Sequence, residues 1–130
     1  MGVESPQAIE QSQQNCRVLS SGTLLARTEL FFGLSKADGT EVTDSEFQGF
    51  VDREITPRFT DGLTLLAGKG QFKNSRQVIV RESSRLLILL YPLGKGNDSN
   101  RKIEEIREGY KKTFQQESVL RTDDLSCASF

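Results

Sequence analysis

Few residues in this chain are equipped for chemistry. Its 130 residues contain no histidine, which removes the commonest general base, the Ser-His-Asp arrangement and most zinc sites together. The two cysteines, Cys16 in "QNCRVLSSG" and Cys127 in "LSCASF", make no CxxC pair, and neither GxxxxGK[ST] nor GxGxxG occurs. "GKGQF" and "GKGN" read as glycine-containing turns. No catalytic residue, metal ligand or cofactor is expected from these patterns.

What remains is charge set into apolar strands. Glu29 lies in "RTELFFG" next to Phe31, and a carboxylate there must reach water or a partner to offset its desolvation. Arg27, Arg81 and Arg121 are candidate partners from three different strands. An ion pair at the sheet rim is the ordinary outcome, and an acid or base of shifted pKa in a cavity is the alternative. Arg58 and Asp61 follow a helix in "TPRFTDG", where a guanidinium either holds carbonyls at the helix end or binds an anionic ligand. In "RESS", Arg81 and Glu82 point to opposite faces of a strand and Ser84 shares the side of Glu82; without a base, Ser84 is a poor nucleophile. Gln116, Glu117 and Ser118 in "QQESVLR" either satisfy backbone groups where a helix passes into a strand or rim a ligand cavity. Tyr110 falls on an apolar helical stripe, so core packing with a hydrogen-bonded hydroxyl is expected. The candidate ligand-binding set is thus Glu29, Arg58, Arg81, Glu82, Tyr110, Glu117 and Arg121.

The elements that must position these residues can be read from periodicity. Residues 1–20 are polar, Gln-rich and aperiodic, and read as a flexible arm unless something ties them down. A strand is expected over Leu24 to Phe32. Thr43 and Glu46 form a capping box, and Val42 with Phe47 a hydrophobic staple, so a helix starts at Thr43. Phe47, Phe50, Val51 and Ile55 make its apolar stripe, and Pro57 ends it. "LTLLAGKGQF" reads as a strand whose glycines suggest a bulge or an edge position. "VIVRESSRLLILLYP" becomes continuously apolar from Leu86 to Tyr91, the pattern of a strand buried on both faces. A second helix carries Ile103, Ile106, Tyr110 and Phe114, with Gly109 suggesting close packing, and a short strand around Ser118 to Thr122 precedes a looser tail.

The order strand, helix, strand, strand, helix, strand is the split βαβ arrangement of ferredoxin-like folds, an α+β class with a four-stranded antiparallel sheet and two helices on one face. A single such domain over residues 21–130 is expected, with its first and third strands central; these are the most apolar. The run from Leu86 to Tyr91 offers apolar side chains to the second sheet face as well, so that face needs a cover. A second copy packed sheet to sheet, giving a dimeric α/β barrel, is the economical candidate; the arm or the hairpin folded back in a monomer is the other.

Seventeen basic against eighteen acidic residues, in no long block, leave no electrostatic footprint for nucleic acid or anionic lipid. The run "LLILLY" is about a third of the length a bilayer span requires, and the chain is read as soluble. The first residues lack the basic and apolar regions of a signal peptide, and Pro6 stands where a myristoylation signal wants Ser or Thr.

The ordered run "TELFFG", "TPRF", "DGLT", "GQF", "RESS", "QESVLR" and terminal "CASF" resembles a family of small bacterial proteins known as a domain of unknown function. Phe72 departs from the Trp that similar proteins often carry after the Gly-Gln pair. The resemblance implies no reaction. It does imply an exported context, with a leader ahead of the domain, a cysteine before the first strand and another near the end, places that Cys16 and Cys127 match. In a ferredoxin-like sheet the first and last strands are antiparallel neighbours, so the two thiols come together although 111 residues apart; a disulfide is expected in an oxidising compartment and free thiols in a reducing cytoplasm. The expectation is a non-enzymatic, extracytoplasmic binding or assembly domain, homodimeric, with an unidentified small-molecule or protein partner. The alternative is a cofactor-independent enzyme acting on a small molecule in a cavity between helices and sheet.

Overall fold

A computed structural model describes residues 5–94, 96 and 98–130. The "GKGN" turn lies partly outside these residues. Two helices and four strands follow in the expected order after an additional N-terminal helix: α1 (Pro6–Ser20), β1 (Thr23–Gly33), α2 (Asp44–Phe50), β2 (Thr64–Lys73), β3 (Ile79–Pro92), α3 (Ser99–Phe114) and β4 (Leu120–Ala128). The sheet order is β2-β3-β1-β4 with every pairing antiparallel, which places the first and third strands at the centre.

Helix α1 replaces the aperiodic arm. Ser5 caps it by accepting the Ala8 amide at 3.1 Å, Pro6 occupies the first turn, and the glutamines that give the segment no apolar stripe are good helix formers. Its buried residue, Cys16, is bonded to Cys127 with the two Cα atoms 5.3 Å apart. Gln13 completes the attachment: its side-chain carbonyl accepts the Leu24 amide at 2.9 Å, and its amide donates to the Gly22 carbonyl.

Helix α2 begins where the capping box requires. Thr43 Oγ1 accepts the Glu46 amide and the Glu46 carboxylate accepts the Thr43 amide, both at 3.1 Å. Beyond Phe50 the coil widens into a π-type turn over Val51–Ile55, and Phe47, Phe50, Val51 and Ile55 are all buried. Helix α3 stops at Phe114, where Gln115 takes a left-handed conformation. A Cβ at Gly109 would lie 3.8 Å from the Phe50 ring, an ordinary contact, so the packing there does not demand glycine.

The edge strand β2 keeps unbroken register with β3 from Thr64↔Ile88 to Lys73↔Ile79, so its glycines mark an edge and not a bulge. "GKGQF" is part of this strand and no turn. The turn is at residues 74–78, where the Asn74 side-chain carbonyl accepts the amides of Arg76 and Val78. Strand β4 extends through the presumed tail, pairing with β1 from Phe31↔Leu120 down to Thr23↔Ala128.

Alternation then assigns the faces. Leu30 and Phe32 of β1 and Leu87 and Leu89 of β3 are buried against α2 and α3, with Phe32, Phe47, Phe50, Tyr110 and Phe114 forming one edge-to-face aromatic cluster. The opposite face carries Leu25, Phe31, Leu66, Phe72, Leu86, Ile88, Leu90 and Leu120, and no helix lies over it. Four of these stay substantially exposed: Leu66 at 49%, Phe72 at 51%, Leu90 at 40% and Leu120 at 59%. Helix α1 packs at the ends of β1 and β4 and leaves this face open.

Candidate functional site

The central space between the helices and the sheet belongs to the hydrophobic core. It is filled by aromatic rings, and Tyr110, fully buried, donates its hydroxyl to the Gly33 carbonyl at 2.7 Å. Burial, followed by the nearby Glu82 charge, pushes the Tyr110 phenol far above its ordinary value, so it stays a neutral donor. A helix–sheet cavity is the location expected for a small-molecule enzyme, and at the centre of that layer five packed rings occupy the space.

A groove lies on the open face, at the end of the sheet where β1 leaves it. This groove of about 530 Å³ is walled by Phe31, Phe72, Val80 and Leu120 and floored by Glu82 and Ser84. Its far rim is the segment from Gln115 to Ser118 together with Ser35 and Lys36. Two of the candidate residues, Glu82 and Glu117, are brought together here. Gln116 donates its side-chain amide to the Ser35 carbonyl at 2.7 Å and so ties the two rim loops to each other.

Glu82 sits in a niche made by missing side chains. Gly70 is its partner across β2, and a Cβ at Gly33 would fall 2.9 Å from its Oε1. Among the described residues its one hydrogen bond is from the Ser35 amide, which donates to Oε2 at 3.4 Å. Among the described residues no Lys or Arg forms an ion pair with Glu82. Lys36 lines the groove but extends its ammonium to Glu46 at 3.2 Å, over the Phe114 ring.

The remaining candidates are dispersed. Glu29, on the open face, pairs with Arg27 on its own strand at 3.1 Å, and not with Arg81 or Arg121. Arg81 projects to the opposite face and donates to Gln71 at 3.0 Å. Arg58 donates to the Glu54 carbonyl and carboxylate, each at 2.9 Å, and borders a depression of about 260 Å³ with Asp61, Tyr91 and Lys102. Arg121 holds Asp123 at 3.0 Å and Asn100 at 2.8 Å, which anchors β4 to the start of α3. That network runs on through residues not singled out in the sequence: Thr28 donates to Asp123 at 2.8 Å and receives the Tyr91 hydroxyl at 2.7 Å. It fastens β1, β3 and β4 together beneath the helices.

No group of three His, Cys, Asp or Glu side chains is placed to hold a metal ion among the described residues, and no described helix is long and apolar enough to cross a membrane.

Two solved structures share this architecture. A phage SAM lyase in complex with S-methyl-5′-thioadenosine superposes with a TM-score of 0.61 at 18% identity, covering 82% of this chain and 90% of that one. A phage SAM lyase in its apo state gives 0.56 at 19% identity, with coverage of 81% and 90%. Identity this low establishes a shared fold and no shared chemistry. No curated protein matches the sequence significantly. A family model described as protein of unknown function (DUF3574) matches residues 27–130, β1 from Arg27 onward and every element after it, and on that match the chain belongs to the DUF3574 family.

Proposed function

We propose that the chain is an extracytoplasmic, non-enzymatic binding module that works as a homodimer through its open sheet face. The observation that carries this reading is the asymmetry of the sheet, with one face filled to close packing and the other presenting Leu66, Leu90 and Leu120 to solvent. Exposed apolar surface of this kind on a regular sheet is an interaction surface or a liability. A second copy is the partner that fits, because Arg27 and Glu29 lie side by side on the central strand of that face and can exchange partners across a two-fold axis. The Cys16–Cys127 bond supports an oxidising compartment. Sedimentation of the purified protein at micromolar concentration is the test; a dimer mass is expected, and a monomer mass overturns the proposal.

A second reading is a cofactor-independent enzyme. It is favoured by the fold shared with the phage SAM lyases and by the unpaired Glu82 in its groove, with the reaction site moved from the helix side of the sheet to the open side. Incubation with S-adenosylmethionine, followed for S-methyl-5′-thioadenosine, separates the two readings. No turnover is expected of a binding module, and release of the thioether would replace it with the enzyme.

A further inference from the structure

The groove at the end of the open face has a charge balance that calls for a particular ligand. Glu82 is half-buried, with its carboxylate pressed over the Gly33 backbone and a single long hydrogen bond from Ser35. A half-buried carboxylate in an apolar groove is complemented by a cation or by several donors, and among the described residues it has neither. Among the described residues the basic side chain on the groove wall is Lys36, which is committed to Glu46. Glu117 adds a second negative charge at the rim.

The walls around the carboxylate are apolar and include two aromatic rings, Phe31 from β1 and Phe72 from β2. The faces of such rings attract an organic cation and pack against the apolar part of the same molecule. The groove volume of about 530 Å³ is in the range that accepts metabolite-sized ligands. Space over the carboxylate is kept free by Gly70, directly opposite Glu82, and by Gly68, opposite Ser84. Larger residues on this edge strand would close it.

We infer that this groove binds a small organic cation bearing an apolar or aromatic group, with Glu82 as the counter-charge and Phe31 and Phe72 as the walls. The site lies at the C-terminal end of β1 and shares Phe31, Phe72 and Leu120 with the open face of the dimer proposed above, so ligand binding and self-association are read separately in the test. The ammonium or sulfonium centre sits against the Glu82 carboxylate, and the apolar group lies along Phe72 and Leu120.

The test is an NMR titration of the disulfide-bonded chain with benzyltrimethylammonium, alongside benzyl alcohol as a neutral and phenylacetate as an anionic control. Saturable shifts are expected at Phe31, Gly33, Phe72 and Ser84 with the cation only, weakened about tenfold in Glu82→Gln. Gly70→Val, whose new side chain enters the groove from an edge strand, provides a second variant with the same expected loss. Absence of saturable shifts, equal affinity for benzyl alcohol, or unchanged affinity in a folded Glu82→Gln or Gly70→Val each overturns the inference. Sedimentation of the same samples records the oligomeric state separately, so that a failed dimer and a failed ligand site are distinguishable.

Discussion

Glu46 illustrates how a single side chain in this molecule joins local structure to solution conditions. The backbone amide of Thr43 and then the Lys36 ammonium hold its carboxyl below the ordinary value of 4.5. A carboxylate depressed in the folded state stabilises above its unfolded pKa, and that contribution disappears as pH falls through the lower folded value. Thermal unfolding of the native chain and Glu46→Gln should therefore differ at neutral pH and converge in acid once the pH has fallen below the lowered folded value; a gap that persists there would count against the charge as its origin. The capping box was legible from Thr43 and Glu46 because both partners lie within one turn of chain. The Glu82 niche was not, since it is made by Gly33 and Gly70, one distant in sequence and the other set by hairpin register. Centring the hairpin on residues 74–78 would have paired Gly70 with Glu82, and that was the available signal. Likewise, the Thr28–Asp123 bond joins residues 95 apart, and nothing local to either announces it.

At the level of elements, α1 stands apart from the rest. It was invisible to an amphipathic pattern because tertiary attachment through Cys16 and Gln13, and no apolar stripe, holds it in place. Val18 and Leu19 remain exposed on it. An isolated helix of 15 residues is marginal in water, so α1 should depend on its covalent fastening. Cys16→Ser with Cys127→Ser is expected to abolish amide exchange protection over Pro6–Ser20 while the protection of β1 and β3 survives. The loop-entropy argument sets an upper value of about 5 kcal/mol for the accompanying loss of stability. Protection of α1 in the double variant would show that its packing alone suffices. Strand β4 went unread past Thr122 for a related reason: its helix-facing positions include the Arg121–Asp123 ion pair, where a strand pattern would show apolar residues.

Viewed as a whole molecule, the sheet has one committed face and one uncommitted face. The apolar run from Leu86 to Tyr91 made that legible in the sequence, because alternation sends Leu87 and Leu89 to the core and leaves Leu86, Ile88 and Leu90 opposite. Leu90→Lys places a charge on the uncovered face without touching the core. If the proposed dimer forms through this face, the variant should sediment as a monomer, while its unfolding free energy changes by no more than about 0.5 kcal/mol. A full-sized dimer from the folded variant would move the interface elsewhere. The joined ends of the chain have a separate, mechanical meaning. Thr23 pairs with Ala128 and the disulfide lies beside them, so Cys16 and Cys127 stand 5.3 Å apart at the two ends of nearly all the folded sequence. Tension applied through both termini would run across the sulfur–sulfur bond and bypass the sheet and helices enclosed between the cysteines, which would carry no load until that bond broke.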